Sequence, residues 1–319
     1  MRVVFLGNAP WSVPSLEAVV TSSHEIVLVV TRAPRPAGRG NRPAPTAVAE
    51  AARTIGLPLE EVEAVKSDRG FEVLAEAAPD VLAVVAYGEI LPKAVLDLPV
   101  VAPVNVHFSL LPELRGAAPV QRAILEGRAV TGVTTIRMDE GMDTGPILLQ
   151  AEETIWPQGD AGSLSMRLAA LGGRLLVDTL DGLESRSLVE RPQDDARATY
   201  APKLKPEDRI IDWSQPAESV VRLVRALAPE PGATTTFRGK SFNILRATST
   251  ERPDKEVVLE ALPPGEVVEA LVRGPGKGLY VLSGDGVLRL DEVQPEGRRR
   301  MSGAEFVRGY RPEIGERLG

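Results

Sequence analysis

PDVLAVVAYG, residues Pro79–Gly88, carries an unbroken apolar run between a Pro-Asp turn and a glycine. A strand with one face in water alternates apolar and polar residues. A continuous run needs apolar cover on both faces. The same texture recurs in RVVFLG (Arg2–Gly7), EIVLVVT (Glu25–Thr31) and APVNVHFS (Ala102–Ser109). Helical segments lie between these strands. SVPSLEAVVTS has Ser12 at the N-cap position and Pro14 in its first turn, and TAVAEAARTIG stops at Gly56. TTIRM and PILLQAEETI add further strands, and SLSMRLAALGGRLLVDTLDGL shows the helical apolar period. Strands alternating with helices predict a parallel α/β sheet covered on both faces. Ligands of such sheets bind outside the carboxyl ends of the strands, which is where His107 lies.

The pattern changes after Leu188. ERPQDDARATYAPKLKPEDR is polar, rich in proline and charge, and has no clear period. It reads as a linker over residues 189–206, between a first domain (1–188) and a second (207–319). In the second domain PAESVVRLVRALAP reads as a helix. ATTTFRG, KSFNILRAT, GEVVEALVRG, GLYVLSG and GVLRLDEVQP read as short strands punctuated by Gly and Pro, the spacing of a small β-barrel. SGAEFVRGY reads as a terminal helix.

Composition narrows the function. Hydrophobic residues make up 43% and aromatics 4% of 319 residues, so the core is built from Val, Leu, Ala and Ile. No run reaches the ~18 apolar residues that span a bilayer. MRVVFLGNAP turns polar too soon for a signal peptide. There is no cysteine, which removes disulfides, thiolate nucleophiles and cysteine-ligated zinc. The two histidines, His24 and His107, are isolated, so no metal site is expected. These features predict a cytoplasmic protein without a membrane partner. The net charge is −7, but residues 207–319 hold 17 Lys/Arg and 18 Asp/Glu, so the acidity lies in residues 1–206. Within that acidic part, Thr31–Ala49 contains Arg32, Arg35, Arg39 and Arg42 and no acid. Such a local basic feature suits phosphate whatever the global sign.

FLGNAPW, after the first strand, has one glycine and makes neither a dinucleotide fingerprint nor a triphosphate loop. Asn105 and His107 are i and i+2, so on a strand they point to one side. Asp143, in the Gly-flanked MDEGMDTGP, follows a later strand and is expected at the same edge. An amide donor, an imidazole and a carboxylate suit direct acyl transfer to an amine, with Asn105 and His107 stabilising the oxyanion. A capped strand end, with His107 bonded to backbone, accounts for the same spacing, and the residues alone leave both readings open. His24, on a helix-to-strand turn, reads as structural or solvated. RAPRPAGRGNRPAP reads as a loop without regular structure, suited to phosphate contact or serving only as a solubilising insertion. RRRM (Arg298–Met301) is a second basic cluster, for which a solvated turn is the alternative.

These residues resemble the methionyl-tRNA formyltransferase family. NVHFSLLP (Asn105–Pro112) followed by RGAAPVQRAI is similar to that family's Asn-x-His-x-Ser-Leu-Leu-Pro block. VVAYGEILPKAVL, MDEGMDTGPIL, RPAGRG, TYAPKL, IDW, RALAPEPGA and QPEGRRRMSG are similar to its other blocks, in family order. The Asn-His-Asp core is common to formyltransferases that use 10-formyltetrahydrofolate. RPAGRG and the C-terminal blocks point to the tRNA branch.

The resemblance implies a Rossmann-like formyltransferase domain with a mostly parallel sheet, plus a smaller OB-like C-terminal β-barrel domain that holds tRNA. It implies transfer of the formyl group of 10-formyltetrahydrofolate to the methionine amine of initiator methionyl-tRNA, by a chain expected to be monomeric and to use no metal. Asn105, His107 and Asp143 match the catalytic residues. Ser109, Leu110, Leu111, Pro112, Tyr87, Ile90, Leu91 and Asp139 match folate-binding positions. Arg35, Arg39, Arg42, Arg298, Arg299 and Arg300 match the tRNA-binding regions. Two departures bear on the acceptor pocket: Asn8-Ala9-Pro10 stands where the family usually has Thr-Pro, and Phe108 where it has a small residue. Formylation of an amino sugar or other small amine is the alternative, and a tRNA-binding module with a vestigial catalytic domain is a third reading.

Overall fold

The computed structural model describes residues 1–37, 42–250, 263–271 and 277–319. The chain divides into two compact units. The first comprises Met1–Pro119, Ala129–Ile155 and Leu164–Lys203, and the second Val120–Arg128, Trp156–Ser163 and Leu204–Gly319. Residues 189–203, polar and without period, therefore belong to the first unit.

The strands of the first unit are β1 (Arg2–Gly7), β2 (Glu25–Arg32), β3 (Arg35–Ala37), β4 (Arg42–Ala44), β5 (Leu59–Val62), β6 (Val81–Val85), β7 (Ala102–His107), β8 (Val130–Arg137) and β9 (Ile147–Thr154). Seven of them form one sheet in the order β5-β2-β1-β6-β7-β8-β9. Pairing is parallel from β5 to β7. It turns antiparallel at β7–β8 and β8–β9, so the sheet is mostly parallel, as expected. β8 and β9 are joined by a loop with no crossover helix, and such a connection makes an antiparallel pair.

All five residues of β6 are buried, as are Val3–Leu6 of β1. Each Val, Leu or Phe side chain among them contributes about 1.5–3 kcal/mol of transfer free energy. β6 ends at Val85 because Ala86 takes a left-handed conformation (φ 44°).

Helices α1 (Val13–Val20), α2 (Ala47–Ile55), α3 (Asp68–Glu76) and α4 (Lys93–Leu96) connect the parallel strands. α5 (Pro119–Leu125) precedes β8 and falls almost wholly in the second unit. α6 (Ala161–Glu184) follows β9 and lies in the first unit from Leu164 onward. Thr46 caps α2 by accepting from the Ala49 amide, and Gly56 closes it in the left-handed region (φ 85°). Ser12 precedes α1 but does not cap it. Its φ/ψ are helical, and its hydroxyl donates to the Val85 carbonyl at 2.7 Å, tying the helix start to the end of β6.

The arginine-rich segment also departs from expectation. β3 and β4 pair antiparallel as a two-stranded ribbon, with Arg35 opposite Ala44 and Pro36 opposite Pro43. Both strands are edges, so a proline there removes no central ladder bond.

The second unit holds a six-stranded antiparallel sheet. Its strands are β10 (Ala233–Phe237), β11 (Lys240–Thr250), β12 (Val267–Leu271), β13 (Gly278–Leu282), β14 (Val287–Pro295) and β15 (Met301–Ser302), accompanied by α7 (Ala217–Leu227) and α8 (Gly303–Tyr310). The path is β10-β11-β14-β13-β12, with β15 on β14. Phe306 of α8 meets Phe242 at 4.7 Å and Phe237 at 5.2 Å between ring centroids. Ser302 and Glu305 form a capping box at the start of α8. The C-terminal tail reaches both edges of the sheet, through bridges Phe237–Leu318 to β10 and Glu266–Arg317 beside β12. Arg238 clamps that tail by donating twice to Glu316, at 2.7 and 2.9 Å. Among the described residues, no helix is long and apolar enough to cross a membrane.

The hydrogen bonds from Arg238 hold the Glu316 carboxyl below its usual range. A carboxyl lowered in the folded state stabilises it above the unfolded pKa and loses that effect as pH falls through the folded value. Glu316→Gln should therefore melt below wild type at neutral pH, and the gap should close in acid. A gap that persists unchanged below the carboxylate range would show that the ion pair is not its cause.

Candidate active site

β7 presents Asn105 and His107 on one side, two residues apart. His107 is buried (6% exposed) and Asn105 is half-buried. The third residue arrives by an indirect route. β8 runs antiparallel to β7, so its last residue, Arg137, lies opposite Val104. The loop after it begins beside the start of β7, where the Met138 amide donates to the Pro103 carbonyl. It then arches back over the same side, bringing Asp143 to both residues. Asn105 Nδ2 donates to Asp143 Oδ1 at 3.3 Å, and His107 Nδ1 lies 3.5 Å from Asp143 Oδ2. The sequence placed Asp143 at this edge because its Gly-flanked loop follows a later strand. The contact exists, but the loop's arch makes it.

Two backbone groups complete the arrangement. The Gly116 amide donates to Asp143 Oδ2 at 2.8 Å. His107 Nε2 lies 2.9 Å from the Leu114 carbonyl. A carbonyl can only accept, so Nε2 carries a proton, and in a neutral ring the nitrogen left with the lone pair is Nδ1, the one nearest the carboxylate. A proton placed between Nδ1 and Oδ2 would convert two facing lone pairs into a hydrogen bond. An imidazole nitrogen and a carboxylate thus face each other beside an amide donor.

The arching loop is shaped by glycine and by Asp139. A Cβ on Gly145 would collide with the Arg137 carbonyl oxygen. Asp139 Oδ1 accepts from the Gly141 amide at 3.0 Å and the Thr144 hydroxyl at 2.7 Å. Asp143 itself is left-handed (φ 56°), a conformation Asp tolerates better than most residues.

Sequence reasoning missed the partners supplied by residues 191–201. The Gln193 side-chain amide donates to the Asp143 and Gly145 carbonyls, both at 2.7 Å, and its Oε1 accepts from Arg115 Nε and Nη2. Arg115 is 2% exposed and also pairs with Asp195 at 2.8 Å. The Leu114 amide donates to Thr199 Oγ1, and Arg115 exchanges backbone hydrogen bonds with Thr199 and Ala201. TYAPKL was the one signal in this stretch, and nothing in its composition distinguished a strap from a linker.

The predicted folate positions divide into two groups. Ser109 is 1% exposed and its hydroxyl donates to the Glu113 carbonyl at 2.6 Å. Leu110 packs on Gly132 of β8, and Leu111 is buried with Ile136 and Ile147. Leu91 and Tyr87 lie in the core beside Val84 and Val95. The Tyr87 hydroxyl is buried and has no hydrogen-bond partner among the described residues, and burial, followed by the charge of Glu89, pushes its pKa well above the usual value. Ile90 (73% exposed), Pro112 and Asp139 retain open surface. Ile90 and Arg35 also line a cleft of 620 Å³ with Arg32, Glu63, Lys66 and Glu89.

The departure at Asn8 has a structural role. Asn8 Nδ2 donates to the Tyr87 carbonyl, and Oδ1 accepts from the Arg32 amide at 2.8 Å, which joins the carboxyl ends of β1, β2 and β6. Phe108 points away from the site. It is 7% exposed, with its ring against Gly172 of α6, as alternation along the chain from His107 requires.

Arg35 is exposed on β3. Arg39 and the side chain of Arg42 lie outside the described residues. Arg298 and Arg299 are exposed, and Arg300 donates to the Pro229 carbonyl at 2.9 Å. His24 is structural: its Nε2 lies 3.0 Å from Asp181 Oδ1 and its Nδ1 3.2 Å from the Met1 amino group.

The chain has the architecture of a two-part formyl transferase. Residues 1–180 match the family "Formyl transferase", and residues 203–311 match "Formyl transferase, C-terminal domain". Along its whole length it is 44% identical over 319 residues to a methionyl-tRNA formyltransferase of Solibacter usitatus, covering 99% of that protein. The chain belongs to the methionyl-tRNA formyltransferase family. Among solved structures, the fold is shared with an N-formyltransferase from Helicobacter canadensis in complex with folinic acid and dTDP-3-aminofucose (TM-score 0.63, 16% identity, 92% of this chain and 99% of that one). It is shared also with a methionyl-tRNA formyltransferase from Clostridium thermocellum (TM-score 0.55, 17% identity, 78% and 94%).

Gly145→Ala should force the loop off Arg137 and displace Asp143. With geometry this exacting, kcat for formyl transfer should fall about 100-fold, while far-UV circular dichroism stays unchanged. A rate near wild type would show that the loop position does not set the rate.

Proposed function

We propose that this chain transfers the formyl group of 10-formyltetrahydrofolate to the α-amino group of methionine on initiator tRNA. The observation that carries this reading is the convergence of Asn105, His107 and Asp143 at one face of β7, in a chain related over its full length to methionyl-tRNA formyltransferases. That full-length relationship favours the tRNA acceptor over an amino sugar or other small amine.

The chemistry follows from the donors present. The amine nitrogen forms a bond to the formyl carbon, the bond from that carbon to the folate nitrogen breaks, and one proton moves from the amine toward the leaving nitrogen. Asn105 has two amide hydrogens and gives one to Asp143. The other would stabilise negative charge growing on the formyl oxygen. Nδ1 of His107 and the carboxylate of Asp143 would hold the proton in transit, and a protonated Nδ1 would add a second donor. No covalent enzyme intermediate is required.

Ile90, Pro112 and Asp139 would face the folate with their side chains. Ser109, Leu110, Leu111, Leu91 and Tyr87 would shape the backbone of that wall, and the unpartnered Tyr87 hydroxyl is a polar atom suited to a bound ligand. Arg35, Arg39 and Arg42 would meet the acceptor end of the tRNA. Arg298, Arg299 and Arg300 would meet its backbone on an OB-like second domain. The protein would work as a monomer in the cytoplasm.

Charged initiator tRNA mixed with the protein and 10-formyltetrahydrofolate should gain the mass of one formyl group. Asn105→Ala, His107→Ala and Asp143→Ala should each lower kcat by about 100-fold or more, the scale for lost oxyanion or acid–base groups. Near-normal rates in all three would refute the mechanism. The tRNA affinity should fall linearly on a log–log plot against salt, and Arg298→Ala should flatten the slope by about one. A salt-independent affinity would remove the phosphate role.

A further inference from the structure

We infer that Gln193 is a positioning residue for Asp143. This rests on the formyl-transfer reading and extends it to the strap of residues 191–201, which lies between the two matched family regions.

Gln193 satisfies its side chain completely. Both amide hydrogens go to the carbonyls of Asp143 and Gly145, and the amide oxygen takes two hydrogens from Arg115. The orientation is unambiguous. A flipped amide would set its oxygen against two carbonyls and its NH₂ against a guanidinium. The two accepting carbonyls straddle Thr144, in a loop that belongs to no helix or strand. Asp139 fixes the other side of that loop through Gly141 and Thr144. Gln193 therefore supplies a second side-chain hold on the backbone that carries the catalytic carboxylate in its left-handed conformation.

Its second contact acts on the same carboxylate from the other side. Arg115 is buried, and among the described residues its guanidinium pairs, apart from Gln193, with the side chain of Asp195. Arg115 adjoins Gly116, whose amide donates to Asp143 Oδ2, and Leu114, whose carbonyl orients His107. One amide thus couples the main chain of Asp143 to the turn that holds its side chain and sets the imidazole tautomer. Gln193 touches none of the three catalytic side chains, so it acts through them.

Gln193→Glu is nearly isosteric and isolates the effect. It keeps an acceptor for Arg115 but replaces two N–H donors with an oxygen facing two carbonyls. In the wild-type background kcat should fall about 10- to 100-fold, the scale of a sub-ångström to ångström misplacement. KM for both substrates should stay near wild type. Placed on Asp143→Asn and read by single-turnover formyl transfer, the same change should cost almost nothing further, because residues acting as one unit are non-additive. Gln193→Asn, read by the same cycle, replaces Gln193→Glu should that variant fail to fold. An unchanged kcat, or an equal loss in both backgrounds, would overturn the inference, the second outcome marking a purely structural staple. If wild type formylates tRNA while Gln193→Glu is unaffected, this inference alone fails. If wild type transfers no formyl group, the function reading fails and takes this inference with it.

Discussion

The hydrogen bond from His107 Nε2 to the Leu114 carbonyl is the constraint on which the site depends. An imidazole has two nitrogens and, when neutral, one proton. Committing that proton to a backbone acceptor leaves Nδ1 as the basic atom and aims it at Asp143. The bond requires the turn from Ser109 to Leu114 to fold tightly back on the end of β7. Ser109 supplies this by donating to the Glu113 carbonyl, and Leu114 by adopting a left-handed conformation (φ 59°). The half of the motif after His107 is therefore architecture as much as binding surface. It determines which nitrogen of a neutral His107 keeps its lone pair.

The carboxylate is held on a different principle. Asp143 is on a loop, and loops lack the ladder of backbone bonds that fixes a strand. Its position is set by convergent hydrogen bonds from three stretches of chain: Asn105 on β7, Gly116 on the following turn, and Gln193 on the strap. The antiparallel course of β8 makes this necessary. A parallel strand would have delivered its following loop directly to the carboxyl edge. Here the loop starts beside Pro103 and must be bent back over the sheet, where Gly145 alone fits under the Arg137 carbonyl.

The sequence revealed the parts of this arrangement that rest on period. Continuous apolar runs gave the buried strands. The two-residue spacing put Asn105 and His107 on one side, and the same alternation turns Phe108 into the core against Gly172, so its bulk does not crowd the site. What depends on single side-chain bonds was not legible. Ser12 reads as a cap and instead bonds to Val85. Asn8 replaces a family residue and instead joins three strand ends. The ribbon of β3 and β4 was hidden because its prolines suppress every local strand signal. Residues 191–201 look like a linker since a strap held by amide and guanidinium groups needs no apolar stripe.

That strap also accounts for a buried charge. Removing a guanidinium from water costs several kcal/mol unless its donors are matched. The Arg115 guanidinium meets this with Gln193 and Asp195, while its backbone is bracketed by Thr199 and Ala201. Each neutral hydrogen bond contributes only about 0.5–1.5 kcal/mol net, so the strap adds little stability through any one contact. Its weight lies in the asymmetry: loss of Gln193 would leave Arg115 Nε buried without its acceptor and two loop carbonyls without donors. A segment with no Val, Leu, Ile, Met or Phe is thereby kept in register with the loop that carries Asp143. The penalty for leaving buried polar groups unpaired does the work that hydrophobic burial does elsewhere in the sheet.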